Sequence, residues 1–456
     1  MDERARNLRS CVAGDATALA AAIAEGRTTA STAMMAALGR AREVPSAIAR
    51  LLSDEAALAA AVRAGAGPFA GVPFLGKDLG SAARGLAPAG GCRALRARLA
   101  DPSEDSALFA RFRAGGLVPF GLSTVPEFGM SLATEPPGQP PAANPFDPAR
   151  SAGGSSGGAS VAVAEGVVAI AHATDAAGSI RVPAASCGLW GLKPSRGVVP
   201  QGPTFANYLM GIVSELVLAR SRRDVVTAYA LATGMKPASE GRRDWRVALC
   251  LPDRCDEVQR RATRAAAETL AASGADIVER PAPDALGQAA HAVAGLVLCV
   301  SLAEWLDDAG IAEGDVSPFI ASARASGRAL TGTAVFAASR DIARLTHAAS
   351  MLFEGVDAAL MPVLSGPPPP HGRFPMDADD VGARLAALEA HAPNAALANV
   401  AGLPALAFPA GFVGGLPVGA QLVGPQGADA ALLELAAPLD AHCEVPFPSP
   451  IAGLPQ

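Results

Sequence analysis

The sequence predicts an α/β fold, on three observations. Strand-like Arg246–Leu251, helix-periodic Glu257–Ser273 and strand-like Ala275–Glu279 follow one another as β-α-β, the succession that builds layered α/β cores. Short apolar runs recur along the rest of the chain between Gly- and Pro-rich punctuation. Half of the 456 residues are hydrophobic and 18% are charged, enough apolar side chain to fill a sizeable core.

The elements follow in order. Residues 10–65 are Ala-rich, with Leu19, Ile23, Met34, Met35 and Leu38 at helical spacing; they predict two or three amphipathic helices punctuated by Gly26 and Pro45. Gly71–Leu75 is a short apolar run with Pro73 at its centre, which predicts an edge strand or strand entry because proline cannot donate to a ladder. Asp105–Ala114 reads as a helix, Val118–Gly121 as a strand and Thr124–Gly129 as a turn and loop. Residues 135–158 are dense in Pro, Gly, Ala and Ser, usually the mark of a linker. Here the Gly-Ser part runs straight into apolar Ala159–Ala164, so a glycine-rich turn feeding a buried helix is the better reading. Val167–Ala171 predicts a buried strand with the loop Asp175–Ser179 at its end. Leu189–Leu192 and Val198-Val199 flank a Lys-Pro-Ser-Arg-Gly turn.

Residues 283–356 predict helices throughout, forming a cap over the site. Ala358–Val363, Leu403–Pro409 and Pro417–Val423 predict strands, and Ala428–Leu439 a final helix. The uncharged stretch Ala392–Gly427 has the length of a membrane span, but Pro404, Pro409, Pro417 and several glycines interrupt it, so it predicts buried strands and loops. No internal repeat is visible.

Composition removes some function classes. A net charge of −6 and 4% aromatics supply neither the basic stripe nor the stacking platforms of a nucleic-acid binder. The seven cysteines are scattered without a C-x-x-C pair and the six histidines show no metal-ligand spacing. The expectation is a reducing compartment with no metal, no cofactor and no structural disulfides. Met1–Ser10 is charged with no apolar segment behind it, so a cytoplasmic protein is expected, with no membrane partner.

Three segments carry chemistry: Gly71-Val72-Pro73-Phe74-Leu75-Gly76-Lys77-Asp78, Gly153-Gly154-Ser155-Ser156-Gly157-Gly158, and Thr174-Asp175-Ala176-Ala177-Gly178-Ser179-Ile180-Arg181-Val182-Pro183-Ala184. A serine nucleophile needs a base. His172 is the nearest histidine to Ser179, but it sits in an apolar run and reads as a packed, hydrogen-bonded side chain. Lysine can serve if its amine is neutral. Lowering its pKa by about three units costs roughly 4 kcal/mol, and burial behind Val72–Leu75 can supply that. Gly71-x4-Gly76-Lys77 also fits the first half of a phosphate-binding loop. Asp78 stands where a Ser or Thr should hold magnesium, and Pro73 lacks an amide donor, which argues against that reading.

Together the three segments resemble the amidase signature family of serine hydrolases, a likeness that continues through Cys187–Gly197 and Gly415–Gly424 and covers most of residues 68–235 and 357–440. Residues 240–356 match weakly. The resemblance implies Ser179 as nucleophile, Ser155 as a bridging serine behind a cis peptide bond, and Lys77 as general base. It implies an oxyanion site at the N–H groups of Ala176, Ala177, Gly178 and Ser179, with Ser156, Asp175 and Arg181 as braces. Substrate contacts are expected around Phe128–Leu132 (Gly129, Met130 and Ser131), Pro203–Ile212 and the helices of 290–340.

The family commonly carries glycine at the position of Ala177. A positive φ there would strain an alanine by about 1–2 kcal/mol, and its methyl would narrow the pocket floor.

The working architecture is a mixed central sheet with helices on both faces. In the family this is one large domain, divided here into an N-terminal helical segment (1–66), the signature core (67–240), an α/β continuation with the cap (241–356) and the last part of the core sheet (357–456).

Ala171–Asp175 and Gly188–Gly197 look most like the subgroup that opens cyclic amides of the 6-aminohexanoate type, together with aryl-acylamidases and urethane-cleaving amidases. The implied reaction is hydrolysis of a linear, cyclic or anilide amide, or of a carbamate, by a monomer or homodimer acting on a small molecule. The alternatives are a glutamine-dependent tRNA amidotransferase component and a catalytically inactive amidase fold used as a binding subunit.

Overall fold

The computed structural model describes residues 14–201, 208–235 and 244–455. The charged N-terminus and residues 203–207 of the expected substrate loop lie outside the described residues.

The strands are β1 (Ile48–Leu51), β2 (Val72–Lys77), β3 (Leu117–Ser123), β4 (Ala143–Asn144), β5 (Asp147–Ser151), β6 (Ile170–Asp175), β7 (Trp190–Lys193), β8 (Ser214–Ala219), β9 (Arg246–Cys250), β10 (Asp276–Arg280), β11 (Ala358–Pro362), β12 (Ala405–Val413) and β13 (Leu416–Val423). Eleven of them form one sheet in the order β1-β3-β2-β6-β8-β7-β12-β13-β11-β9-β10, and β4 with β5 makes a separate hairpin. The sheet is mixed: β3, β2 and β6 run parallel, β8, β7, β12 and β13 alternate antiparallel, and β11, β9 and β10 are parallel again. β2, β3, β6, β8 and β11 are buried at every residue, as they must be when helices cover both faces. Helices start where a side-chain oxygen meets a first-turn amide, as at Thr29, Ser106, Ser221 and Asp256, which satisfies donors the helix itself leaves open.

Several sequence expectations need correction. β2 lies inside the sheet, not at its edge. Pro73 is tolerated because β6 pairs with β2 only at Leu75, so the ladder on that side begins beyond the proline. The strand expected at Val167–Ala171 is shifted on to Ile170–Asp175 and ends on the polar pair Thr174-Asp175. The N-terminal segment is not purely helical: Ile48–Leu51 leaves it to pair antiparallel with β3. The stretch Ala392–Gly427 contains a helix, Ala395–Val400, besides its strands. β8 and the helix Arg222–Thr233 were not anticipated. Residues 283–356 are helical as expected, with Asp284–Asp308, Pro318–Arg328 and Gly332–Ser350. Asp284–Asp308 is long and apolar enough, by length and a mean hydropathy of 1.7, to cross a membrane; here its apolar side packs on the neighbouring helices and the cleft.

Candidate active site

β2 and β6 are parallel neighbours, so their C-terminal ends reach the same sheet edge, where α/β folds commonly place a site. Lys77 ends β2 and Asp175 ends β6. Ser155 and Ser156 stand immediately before the helix Gly157–Ala164, and Ser179 just before the helix Arg181–Cys187. The glycine-rich turn is buried throughout residues 152–158, which excludes a linker. The Gly154–Ser155 peptide bond is cis. A Cβ on Gly154 would stand 2.8 Å from the Ala133 nitrogen and the Ser131 oxygen, so only glycine lets the two backbones touch here.

The Lys77 side chain is wholly buried. Its Nζ lies 2.8 Å from Ser155 Oγ, 2.8 Å from Thr174 Oγ1 and 3.4 Å from the Thr174 carbonyl oxygen. Burial pushes its pKa down to about 7, against the pull of the Asp175 and Glu215 charges. Ser156 Oγ donates to the same Thr174 carbonyl at 3.3 Å. The strand Val72–Lys77 is therefore buried, and its lysine amine lies against a serine hydroxyl.

Asp175 and Arg181 form a wholly buried pair, Nε to Oδ2 at 3.0 Å. Burial alone would raise the Asp175 pKa; the Arg181 charge and hydrogen bonds outweigh it and hold the carboxyl at about 2. Arg181 also donates to Gln421 Oε1, Asn399 Oδ1 and the Ala395 carbonyl, while Asn399 Nδ2 donates to the Asp175 carbonyl. Asp175 accepts from the N–H groups of Gly178 (2.7 Å) and Ile180 (3.1 Å). The loop that carries Ser179 is thus fixed from both sides.

The Gly178 amide is spoken for, which removes one of the four expected oxyanion donors. Among the described residues, the N–H groups of Ala176, Ala177 and Ser179 meet no acceptor. Positive φ falls on Gly178 (117°), not on Ala177, so the alanine carries no backbone strain.

His172 is a buried structural residue. Its Nδ1 accepts the Lys77 N–H at 3.2 Å and its Nε2 meets Glu215 Oε2 at 2.8 Å, so the ring is neutral with the proton on Nε2. Glu215 also accepts from Ser81 N and Oγ.

Ser179 opens onto a cleft of two lobes. One, with about 540 Å³ of space, is lined by Gly129–Leu132, Ala176, Ala177, His291, Ala294, Gly295, Leu385 and Leu388. The other, about 420 Å³, holds Ser155, Thr174, Leu79, Phe128, Leu209, Val213 and Leu302. Ser179, Ala176, Gly129, Met130 and Leu298 border both. Gly129, Met130 and Ser131 line the cleft as expected, although Ser131 Oγ accepts the Ala133 N–H. Of the expected cap helices only Asp284–Asp308 reaches the cleft; Leu385 and Leu388, from Val381–His391, were not foreseen. Among the described residues neither lobe is lined by a charged side chain, and burial holds His291 below its usual pKa.

Four further residues complete the site. Thr174 holds the lysine, Thr134 Oγ1 donates to the Gly153 carbonyl, and Asn399 and Gln421 hold Arg181. Thr174 adjoins Asp175 in sequence. Asn399 and Gln421 are more than two hundred residues from their partner, and no local pattern points to them.

The buried serines, the lysine and the α/β frame define a hydrolase of the amidase type. The amidase family profile matches residues 32–433, and the chain belongs to that family, whose members act on carbon–nitrogen amide bonds. The 6-aminohexanoate-cyclic-dimer hydrolase of Pseudomonas sp. (strain NK87) is 31% identical over 411 residues, covering 82% of this chain and 83% of the relative. A glutamyl-tRNA(Gln) amidotransferase subunit of Thermus thermophilus is 33% identical over 436 residues, covering 83% of this chain and 87% of the relative. A solved structure of 6-aminohexanoate cyclic dimer hydrolase complexed with substrate superposes with a TM-score of 0.88 at 29% identity, covering 96% of this chain and 98% of the other.

Proposed function

We propose that this amidase hydrolyses an uncharged, largely apolar amide or carbamate through an acyl-enzyme on Ser179. The observation that carries the reading is the setting of Lys77 Nζ. A neutral amine has two N–H donors and one lone pair. The two Thr174 oxygens take the donors, which leaves the lone pair to face Ser155 Oγ at 2.8 Å. Lys77 then takes the Ser155 proton as Ser155 takes the Ser179 proton, and Ser179 Oγ attacks the carbonyl carbon. The open amides of Ala176, Ala177 and Ser179 face the developing oxyanion, a contribution that in other enzymes is worth about 3–4 kcal/mol per donor. Ser155 returns the proton to the leaving nitrogen as the C–N bond breaks. Water, deprotonated by the same relay, releases the acid.

The proton route also divides the cleft. The leaving nitrogen must face Ser155, so the lobe containing Ser155 and Thr174 takes the amine or alcohol side. The lobe floored by Ala176 and Ala177 takes the acyl side. Uncharged walls favour substrates that carry no ammonium or carboxylate in either lobe, because a desolvated charge without a partner is strongly disfavoured. A small, neutral cyclic amide, an anilide and an aryl carbamate fit this description.

The likeness to an amidotransferase component favours a second reading, release of ammonia from glutamine for a partner protein. The uncharged walls speak against it, since glutamine brings both an ammonium and a carboxylate. The test is a panel of a simple aliphatic amide, an anilide, a cyclic oligoamide, an aryl carbamate and glutamine, with wild type and Ser179→Ala. Turnover of a neutral member that vanishes in the variant is the expected result. Turnover that survives in Ser179→Ala, or turnover of glutamine alone, contradicts the proposal.

A further inference from the structure

A third cavity, with about 610 Å³ of space, lies away from both lobes of the cleft. Its polar lining includes Arg50, Arg93, Arg96, Asp78 and Thr124, and Ala89, Cys92 and Val125 supply an apolar wall. None of the catalytic serines, nor Lys77, borders it.

The charges in it do not balance. Arg50 is satisfied by Asp101, Nη1 to Oδ1 at 2.5 Å and Nη2 to Oδ2 at 2.6 Å. Arg96 donates to the Ala87 carbonyl and lies 3.8 Å from Asp78 and 4.0 Å from Asp101. The Asp78 carboxylate is already occupied by the N–H groups of Ala89 and Gly91. The Arg93 guanidinium has no hydrogen-bond or ion-pair partner among the described residues. Three guanidiniums therefore face two carboxylates. Independently, the Thr124 side chain is buried and its Oγ1 has no partner. Buried polar atoms are nearly always paired, and an orphan in a cavity wall marks a place where something else completes the set.

We propose that this pocket binds a small organic monocarboxylate. The excess of one positive charge suits a single negative charge. A carboxylate is planar and matches the fork of a guanidinium with two parallel hydrogen bonds. In this arrangement Arg93 and Arg96 take the oxygens, the Thr124 hydroxyl donates to one of them, and a short apolar tail rests on Ala89, Cys92 and Val125. The pocket shares a turn with the active cleft: Gly90 N–H donates to the Asp78 carbonyl at 2.7 Å, and the Gly90 carbonyl accepts the Phe128 N–H at 2.6 Å. Asp78 follows Lys77 in the chain, and Phe128 lines the amine lobe.

The test is calorimetric titration of the full chain with butyrate, and separately with inorganic phosphate, at constant ionic strength. Butyrate is expected to bind saturably. Arg93→Ala, at an exposed residue, is expected to weaken that binding about tenfold or more, as loss of a charged hydrogen bond does. Thr124→Val, of nearly the same shape, weakens it less, and Thr124→Ser restores it. Amide turnover without carboxylate is unchanged in Arg93→Ala. Absence of saturable butyrate binding, or equal affinity in Arg93→Ala, overturns the proposal, the latter because the carboxylate then sits elsewhere. Tighter binding of phosphate than of butyrate overturns the choice of a monocarboxylate.

Discussion

Replacing Lys77 by Met tests whether the buried amine is neutral. Methionine keeps the length of the side chain and removes the titrating group. Burial holds the Lys77 pKa at about 7 instead of 10.5. At about 1.4 kcal/mol per pH unit, that difference is on the order of 5 kcal/mol of folding free energy. The sign follows from proton counts. Between pH 7 and pH 10.5 the unfolded chain keeps a proton that the folded chain has lost, so the lysine's penalty on folding shrinks as pH rises. It is full below about pH 7 and gone above the unfolded pKa. The second buried lysine, Lys193, has a similarly depressed pKa of about 7, but it is present in both proteins and cancels in their difference.

Lys77→Met also leaves Ser155 Oγ and Thr174 Oγ1 without their partner, a pH-independent cost of about 1–3 kcal/mol each. The slope is therefore more informative than the offset. Urea unfolding of both proteins at pH 7.5 and pH 9.5 should show the stability of Lys77→Met, relative to wild type, falling by about 2.5 kcal/mol between the two, a slope approaching 1.4 kcal/mol per pH unit. A difference that does not change with pH would mean that Lys77 stays protonated in the folded protein, and the relay described above would lose its base.

Four other outcomes follow from the same geometry. In wild type, kcat/KM should fall about tenfold per pH unit below an apparent pKa near 7; a profile flat down to pH 5 would contradict a lysine base. Ser155→Ala should lower kcat by about 10²–10⁴ because it removes the proton route, while urea unfolding shows a loss of only about 1–3 kcal/mol, the cost of leaving the buried Lys77 amine one partner short. Asp175→Asn leaves Arg181 buried beside a neutral group, and urea titration should show a loss of about 3–5 kcal/mol along with activity. A Cβ on Gly295 would stand 2.7 Å from Leu385 Cδ1, so Gly295→Leu crowds the acyl lobe; it should depress kcat/KM for bulky acyl groups and spare bulky amines, while Val213→Phe does the reverse, and a swapped pattern would invert the lobe assignment.

The three segments that meet at the site are readable in the sequence because each is local. Lys77 ends an apolar run, the Ser155 turn enters a helix, and the Asp175–Arg181 loop is nearly contiguous. What joins them is not local. The parallel pairing of β2 with β6 that brings Lys77 beside Thr174 depends on a register no short pattern encodes. The same holds for Asn399 and Gln421, which hold Arg181 from the far end of the chain. Pro73 misled in a specific way: proline signals an edge, but here the missing donor falls where only β3 is paired. The resemblance implies the Gly178 amide as an oxyanion donor, and backbone N–H groups look alike in a sequence. Only the position of the Asp175 carboxylate shows that this one is taken.

Whether Ser179 is the activated nucleophile can be read with a fluorophosphonate probe, which reacts only with an activated serine. After brief exposure of the full chain near pH 8, intact mass should show a single phosphonyl adduct, mapped by peptide mass spectrometry to Ser179, absent from Ser179→Ala and strongly reduced in Lys77→Met. An adduct on Ser155, or one that persists in Ser179→Ala, would contradict that role.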